Sequence, residues 1–404
     1  SEMGNIFANI KGDKVIWATA GLLAIFSFLP VYSASSNIAY LYGDGSTFKY
    51  LIVHFFHLLL GFCVLFAAHK VPYHYYRGLS ILMLPVVIVL LIYTMAQGTV
   101  IDGANASRWI RIPVLGVTFQ SSTFAAVVLM IYVARYMSKI TEKKITFKET
   151  ILPLWVPVGS VLMLILPANF STTAIIFAMV LVLMFLGGYP VKYLLAIVFA
   201  GVILFGIFVL AAKAFPGVLP NRVDTWTSRI ENFTNDEDTE ADYQIERAKI
   251  AIARGGIAGT GIGKSVQRNF LPQSSSDFIY AIIVEEMGLI GALGVMLAYL
   301  MILFRIIIVA TKANTVFGKL LVMGVGIPII FQALVNMAVA VELFPVTGQT
   351  LPLVSSGGTS IWMTCLSLGI ILSVSAKREE EKETEEAERN AEDENPLDIL
   401  SEAI

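Results

Sequence analysis

Ten stretches of this chain are too apolar to be left in water. They fall at roughly 15–34, 48–69, 78–96, 120–137, 151–167, 170–187, 191–213, 277–304, 316–341 and 351–375. The hydrocarbon core of a bilayer is about 30 Å thick, and about 20 residues of helix cross it. Hydrocarbon offers no partner to an exposed N–H or C=O, so a spanning segment must satisfy its own backbone, which a helix does. The pattern predicts an all-α integral membrane protein with ten transmembrane helices. Composition agrees: charged residues are 14% of the 404, against about 25% in a soluble domain. The first stretch begins after Lys14 and is expected to be a retained span, not a cleaved leader. Cys63 and Cys365 both lie in apolar stretches and are expected to be buried thiols without a disulfide.

Lysine and arginine sort the connections into two sets. With the N-terminus cytoplasmic, the inner connections and their edges hold Lys70 and Arg77, then Arg135, Lys139, Lys143, Lys144 and Lys148, then Lys192, then Arg305, Lys312 and Lys319. The short outer connections 35–47, 168–169 and 342–350 hold none, and 97–119 holds Arg108 and Arg111. Both termini are then cytoplasmic, and the long connection 214–276 is a large extracytoplasmic loop. Residues 1–376 form the membrane body. From Lys377 on, twelve acidic and four basic residues give a tail of charge −8, leaving +6 for the body out of a total of −2. The tail, 377–404, is expected to be disordered or a marginal charged helix. Its apolar end, Leu397-Asp-Ile399-Leu400, could dock a cytoplasmic partner. Nothing suggests an inverted repeat, and no nucleic-acid partner is expected.

The polar residues that resist this apolar background gather on the outer side. Asp277 stands where the eighth span is expected to begin, after Pro272 and three serines. A carboxylate there is either a helix cap or an ionised group that meets a substrate at the lipid boundary. Glu285 and Glu286 follow on the same helix, and carboxylates at membrane depth face the bundle interior; bonding to loop backbone is their expected role. Gly259, Gly261 and Gly263 precede Lys264, and glycine N–H groups beside a lysine suit a phosphate or a lipid-borne pyrophosphate. A flexible turn is the alternative, since the P-loop spacing is missing. Arg108 beside Trp109 reads either as an interfacial anchor or as a clamp for anionic groups. The segment from Pro345 through Thr347, Gly348, Pro352, Ser355, Gly357 and Gly358 interrupts an apolar stretch, and irregular backbone at that depth implies a polar cavity. His54 and His57 are expected to be packed or hydrogen-bonded, and Gln332 and Asn336 to bond between helices. The acidic run from Asp236 to Asp242 is expected to be solvated loop.

Taken together, these motifs resemble the SEDS family (shape, elongation, division and sporulation), whose FtsW and RodA groups are polytopic peptidoglycan polymerases. The resemblance covers 15–376. It rests on Arg108-Trp109 with Gln120-Ser-Ser122 downstream, and on Gly259-x-Gly261-x-Gly263 through Leu271-Pro272 to Ser276-Asp277-Phe278-Ile279 and Glu285-Glu286-x-Gly288. It rests also on Pro345-x-Thr347-Gly348-x-x-Leu351-Pro352 with Ser355-x-Gly357-Gly358. The run Gly263-Lys264-Ser265-x-Gln267 looks more like the division branch than the elongation branch. Two places depart from the family. Span four usually opens Gln-Pro-Ser-Glu with a lysine three positions on; here Ser121, Thr123 and Ala126 stand for Pro, Glu and Lys. Span six often opens Asp-Leu-Gly-Thr; here it is Asn169-Phe170-Ser171-Thr172.

The resemblance implies an inverting glycosyltransferase of the bacterial inner membrane that polymerises lipid II for septal wall synthesis. Asp277 falls on the family's essential loop aspartate and would be the general base. Arg108, Trp109, Lys264, Gln267, Arg268, Pro272 and the glycines would meet substrate, with Thr347, Gly348, Ser355, Gly357 and Gly358; Glu285 and Glu286 would support them. A divalent metal ion, Mg or Mn, is a candidate to share the pyrophosphate charge. The expected partners are a class B penicillin-binding transpeptidase and other division-site membrane proteins. A lipid II flippase and an elongation-type polymerase are the competing functions.

Overall fold

The computed structural model describes residues 7–41, 47–97, 100–101, 104–105, 109–112, 117–215, 240–271 and 275–393. Seven helices come first: α1 Lys14–Leu41, α2 Thr47–Lys70, α3 Tyr75–Gln97, α4 Ser121–Ile140, α5 Phe147–Ile165, α6 Phe170–Leu186 and α7 Val191–Ala214. α8, Glu240–Gly255, lies in the long connection, and α9 Ile279–Lys312, α10 Val316–Ala340 and α11 Gly358–Asp393 complete the body. Each of the ten expected stretches contains a helix, the tenth only from Gly358 on. Among the described residues nine helices are long and apolar enough to cross a membrane, and α6, at 17 residues, is the shorter tenth. The connection between α3 and α4 adds two small antiparallel ribbons that hydropathy does not signal. β1 Val100–Ile101 pairs with β2 Ala104–Asn105, and β3 Trp109–Ile112 with β4 Val117–Gln120.

α10 and α11 are the most buried spans, and α7 the least. α10 lies against α4, α9 and α11, whereas α7 touches chiefly α6. Cys365 is buried, but Cys63 is exposed, contrary to expectation. A span in lipid has an apolar outward face, so an apolar sequence context does not imply burial in protein.

Two polar ties set the scale of the bundle. Arg305 on α9 donates to the Asp13 carboxylate ahead of α1, at 2.8 Å from Nε. Farther along the same helices, Ser33 Oγ donates to Glu286. The ties are 20 residues apart on α1 and 19 apart on α9, which at 1.5 Å per residue is about 30 Å. That is about the thickness of a hydrocarbon core. The ties are thus spaced as its two boundaries would be, with the chain's N-terminus on the Asp13 side.

α9 is not one straight span from its start. Gly288 has φ 67 and ψ −157, non-helical values inside the helix. Every residue from Phe278 to Glu286 is buried, whereas Leu289 and Ile290 are 50% and 68% exposed. The lipid-crossing part thus begins after Gly288, not at 277. The piece before it is enclosed by α8 and by the end of α10, through Ala248, Ala251, Ala281, Ile282, Val335 and Val339.

The kink breaks the backbone ladder, and the long connection repairs it. The carbonyls of Glu285 and Glu286, which Leu289 and Ile290 would engage in an unbroken helix, accept from Thr260 N at 2.9 Å and Gly261 N at 3.0 Å. Leu289 N and Ile290 N donate instead to the carbonyls of Gly256 and Ile257, at 2.9 and 3.3 Å. So close a crossing leaves no room for side chains. A Cβ at Gly255 would sit 2.0 Å from Val284 O, and one at Gly259, where φ is +80, 2.1 Å from Glu286 O.

Of the two expectations for the acidic tail, disorder or a charged helix, the described part is the helix: α11 continues unbroken through Asp393. Its first residues are held by polar ties to the N-terminal segment. Gly12 N donates to Glu379, and Lys11 Nζ to Glu380 at 2.6 Å. The tail's apolar end at 397–400 lies outside the described residues, as do positions 236–239 of the acidic run.

The crossing predicts a large steric effect from a small change. Gly255→Ala is expected to destabilise the protein by about 3 kcal/mol or more, as overpacking does where backbone must move. Gly201→Ala on α7, where nothing lies within 4 Å, is expected to be neutral. Thermal unfolding of the two purified variants in detergent checks this.

Candidate functional site

The site is built from three segments that meet beyond the level of the Ser33–Glu286 tie. The first is 275–277. Asp277 is half-buried, two residues before α9, and the helix-entry residue, Phe278, makes no side-chain cap bond. The second is the irregular stretch 343–357, which separates α10 from α11. The third is the end of α10 itself.

Asn336, buried on α10, clamps the first two. Its Nδ2 donates to the carbonyls of Asp277 at 3.0 Å and Gln349 at 2.9 Å. Gly348, with φ 68, lies beside the carboxylate, and a Cβ there would be 3.7 Å from Asp277 Oδ2. Ser355 Oγ donates to the carbonyl of Ser276 at 2.7 Å, and Ser356 N to that of Ser275 at 2.9 Å. Gln332, one turn below Asn336, donates to Thr350 O and Oγ1 at 3.0 and 2.9 Å. Both amides were expected to join helix to helix; each instead supplies donors to non-helical backbone. The buried Asn336 Oδ1 and Thr347 Oγ1 have no hydrogen-bond partner among the described residues.

The segment carrying Trp109 reaches the same face. β3 pairs Trp109 with Gln120, and Gln120 N donates to Thr359 Oγ1 at 3.2 Å, just past Gly357 and Gly358. Arg108 and Pro272 lie outside the described residues, and the description of Trp109 stops at its backbone.

The glycine stretch takes a different part from the expected phosphate cradle. The N–H groups of Gly259 and Gly261 donate to the carbonyls of Gly255 and Glu286. These two amides are not free for an anion. Glu285 and Glu286 then hold the chain that follows. Ser265 Oγ and Val266 N donate to Glu285 at 2.5 and 3.0 Å, and Ser265 N donates to Glu286 at 3.3 Å. Arg268, expected to face substrate, turns inward and donates to Ser33 O and Oγ at 3.2 and 3.1 Å. Gln267 is buried, while Lys264 is exposed. Buried carboxylates need charged or hydrogen-bonding partners; here loop backbone, Arg268 and Arg254, 3.7 Å from Glu285, supply them.

Below the clamp, a cavity of about 110 Å³ opens between α4, α6, α10 and α11. Its wall is mostly apolar, with Ser122, Thr123, Thr172, Gln332, Gln349 and Ser360 as polar points. Thr123 and Ala126, two positions where the sequence departs from the SEDS pattern, both line it. Gln349 joins the cavity to Asp277 through Asn336. Sequence reading inferred a polar cavity from the broken apolar stretch but had no signal for the part taken by Asn336.

His54 and His57 are packed and hydrogen-bonded, as expected. His54 Nε2 lies 2.7 Å from Ser27 Oγ, and His57 meets the Trp362 ring edge-on. Among the described residues no three His, Cys, Asp or Glu side chains come together as a metal site.

Comparison with known proteins agrees with this arrangement. The profile of the FTSW_RODA_SPOVE family, described as cell cycle protein, matches residues 13–380. A protein of Geobacter sulfurreducens named probable peptidoglycan glycosyltransferase FtsW is 32% identical over 382 residues, covering 92% of this chain and 98% of its own. One of the same name from Nitrosococcus halophilus is 32% identical over 322 residues, or 78% and 80% of the two chains. Among solved structures, a chain from a peptidoglycan synthase complex that coordinates polymerization and crosslinking superposes with TM-score 0.68 at 24% identity, covering 91% of this chain and 98% of that one. The Thermus thermophilus rod shape determining protein RodA superposes at 0.64 and 22% identity, covering 91% and 97%. With that profile running almost end to end and relatives this similar, the chain belongs to the FtsW/RodA/SpoVE family of cell cycle proteins.

Proposed function

We propose that this chain is a peptidoglycan glycosyltransferase that polymerises lipid II for the division septum, with Asp277 as its general base. The observation that carries the reading is the clamp: Asn336 ties the backbone of Asp277 to that of Gln349, Gly348 lies beside the half-buried carboxylate, and Gln349 lines the cavity below. Relatives named FtsW support the division role.

A sugar hydroxyl is a poor nucleophile, and a base must take its proton as the glycosidic bond forms. In this reading the Asp277 carboxylate takes that proton. The anomeric bond to the pyrophosphate breaks in the same displacement, and configuration inverts. The lipid pyrophosphate leaves with growing negative charge and needs positive groups nearby. Lys264 is exposed and suited to that task, with Arg108. The amides of Gly259 and Gly261 and the Arg268 side chain are not, because backbone carbonyls and Ser33 engage them. No step is routed through a metal ion. Asn336 Oδ1 and Thr347 Oγ1, without partners among the described residues, are suited to the sugar's hydroxyl and amide groups. The apolar cavity wall suits the lipid chain.

The charge bias of the connections supports cytoplasmic termini, which puts Asp277 on the outer face where lipid-linked wall precursors are consumed. A single-span transpeptidase of the class B penicillin-binding type is the proposed partner. Similarity to a chain of a complex that couples polymerization to crosslinking supports it.

Asp277→Asn is expected to lower the rate of glycan formation from purified lipid II by about 10²–10⁴-fold, the range for loss of a general base, with unchanged expression and melting. Near wild-type product on gels overturns the assignment. Asn336→Leu removes two hydrogen bonds worth about 1 kcal/mol each. It is expected to lower kcat by up to about thirtyfold with less effect on KM, as steady-state kinetics of polymerisation would read. Ala126→Phe fills part of the cavity. It is expected to raise KM for lipid II while stability holds or improves, as cavity filling does.

A further inference from the structure

The segment 255–263 belongs to the long connection, yet its bonding partners lie at membrane depth. The lipid-exposed part of α9 begins after Gly288, at Leu289 and Ile290, which are 50% and 68% exposed. Their N–H groups donate to the carbonyls of Gly256 and Ile257. The ladder exchange between 256–261 and 285–290 therefore takes place where the lipid-facing strip of α9 starts. Backbone at that depth is tolerated only when fully bonded, and here the freed groups on both sides of the kink are matched.

Two large apolar side chains on this segment point away from the protein. Ile257 is 72% exposed and Ile262 53%. They are joined by backbone bonds to a helix whose outward face, at Leu289, Ile290, Leu293 and Leu297, is 48–68% exposed. Arg254 and Lys264, the cations at either end of the segment, are also exposed, and such side chains reach for headgroups from the edge of an apolar surface.

We propose that Ile257 and Ile262 are immersed in the acyl chains of the leaflet on the Asp277 side. They continue the lipid-facing strip of α9 and make the segment a wedge that anchors the long connection in the bilayer. The occupant is bulk lipid, because backbone bonds make the segment continuous with a span's lipid face, and the polar side chain between the two isoleucines, Thr260, is turned onto the Glu285 carbonyl.

Nitroxide depth measurements test this. Ile257→Cys, Ile262→Cys, Ile290→Cys and Glu246→Cys are made in the full chain with Cys63 and Cys365 changed to alanine. Each is spin-labelled in vesicles of phosphatidylethanolamine and phosphatidylglycerol. Collision with oxygen, which concentrates among acyl chains, is compared with collision with a water-soluble nickel chelate. The oxygen-to-nickel ratio at 257 and 262 is expected to match that at 290 and to exceed that at 246, on the exposed face of α8, several-fold. A ratio like that at 246 overturns the proposal, and so does low collision with both reagents, which marks a covering protein surface. If a labelled variant does not fold, the unmodified chain is photolabelled in vesicles holding a phospholipid with a diazirine in its acyl chain. Labelling of the 256–263 peptide supports the proposal; labelling confined to the spans overturns it.

Discussion

A backbone that leaves helical geometry inside a membrane must find other partners for its freed N–H and C=O groups, and the geometry around Asp277 depends on how this chain does so at Gly288. The helix stops for one residue, and four backbone groups are taken up by 256–261 in a reciprocal exchange. An unsatisfied amide in hydrocarbon costs several kcal/mol, so kink and loop are stable only together. Everything above the kink follows: the buried piece from Phe278 to Glu286 can turn away from the lipid-crossing axis, and its head carries Asp277. Its two ends lie near one boundary. Glu286 is about 29 Å along α9 from Arg305, and Asn336, bonded to Asp277, is about 31 Å along α10 from its cap Thr315.

The buried carboxylates make the joint specific. An unpaired ion in this setting is strongly destabilising. Glu285 and Glu286 are held by hydrogen bonds from Ser265, Val266 and Ser33, with Arg254 ion-paired to Glu285, so a shift in any of these segments would break a charged contact. These bonds run from α1 through the loop to α9. They bring the segment that carries Asp277 into register with the bundle, while Asn336 and Ser355 do the same from α10 and the approach to α11.

Much of this is legible in the amino-acid sequence, for reasons that differ by element. Hydropathy locates the helices because a span has a required length and few charges. It misplaces the start of the eighth, since Ile279–Ile283 is as apolar as lipid-facing sequence although protein encloses it. The glycines signal close backbone approach, but not whether a ligand or a second chain segment approaches. Here Val284 and Glu286 carbonyls take the place that a phosphate would. Arg268 reads as a free cation until Ser33, 235 residues away in the chain, is brought beside it. Asn336 looks like one more polar residue in a span, because its partners at Asp277 and Gln349 lie in two separate loops. Asp277 itself is marked by the motif around it, and its exposure and neighbours come only from the fold.

α11 begins where Ser355 and Ser356 hold the segment before Asp277, crosses the bundle, and continues without a break to Asp393. Its 36 residues form a rod about 54 Å long. No proline interrupts it, and at Gly369 it lies against Leu65 too closely for any side chain. A rod has no joint in which to absorb displacement. A displacement of the acidic end is therefore carried along the rod toward Gly358, and the Lys11–Glu380 and Gly12–Glu379 bonds tether that end to the segment before α1.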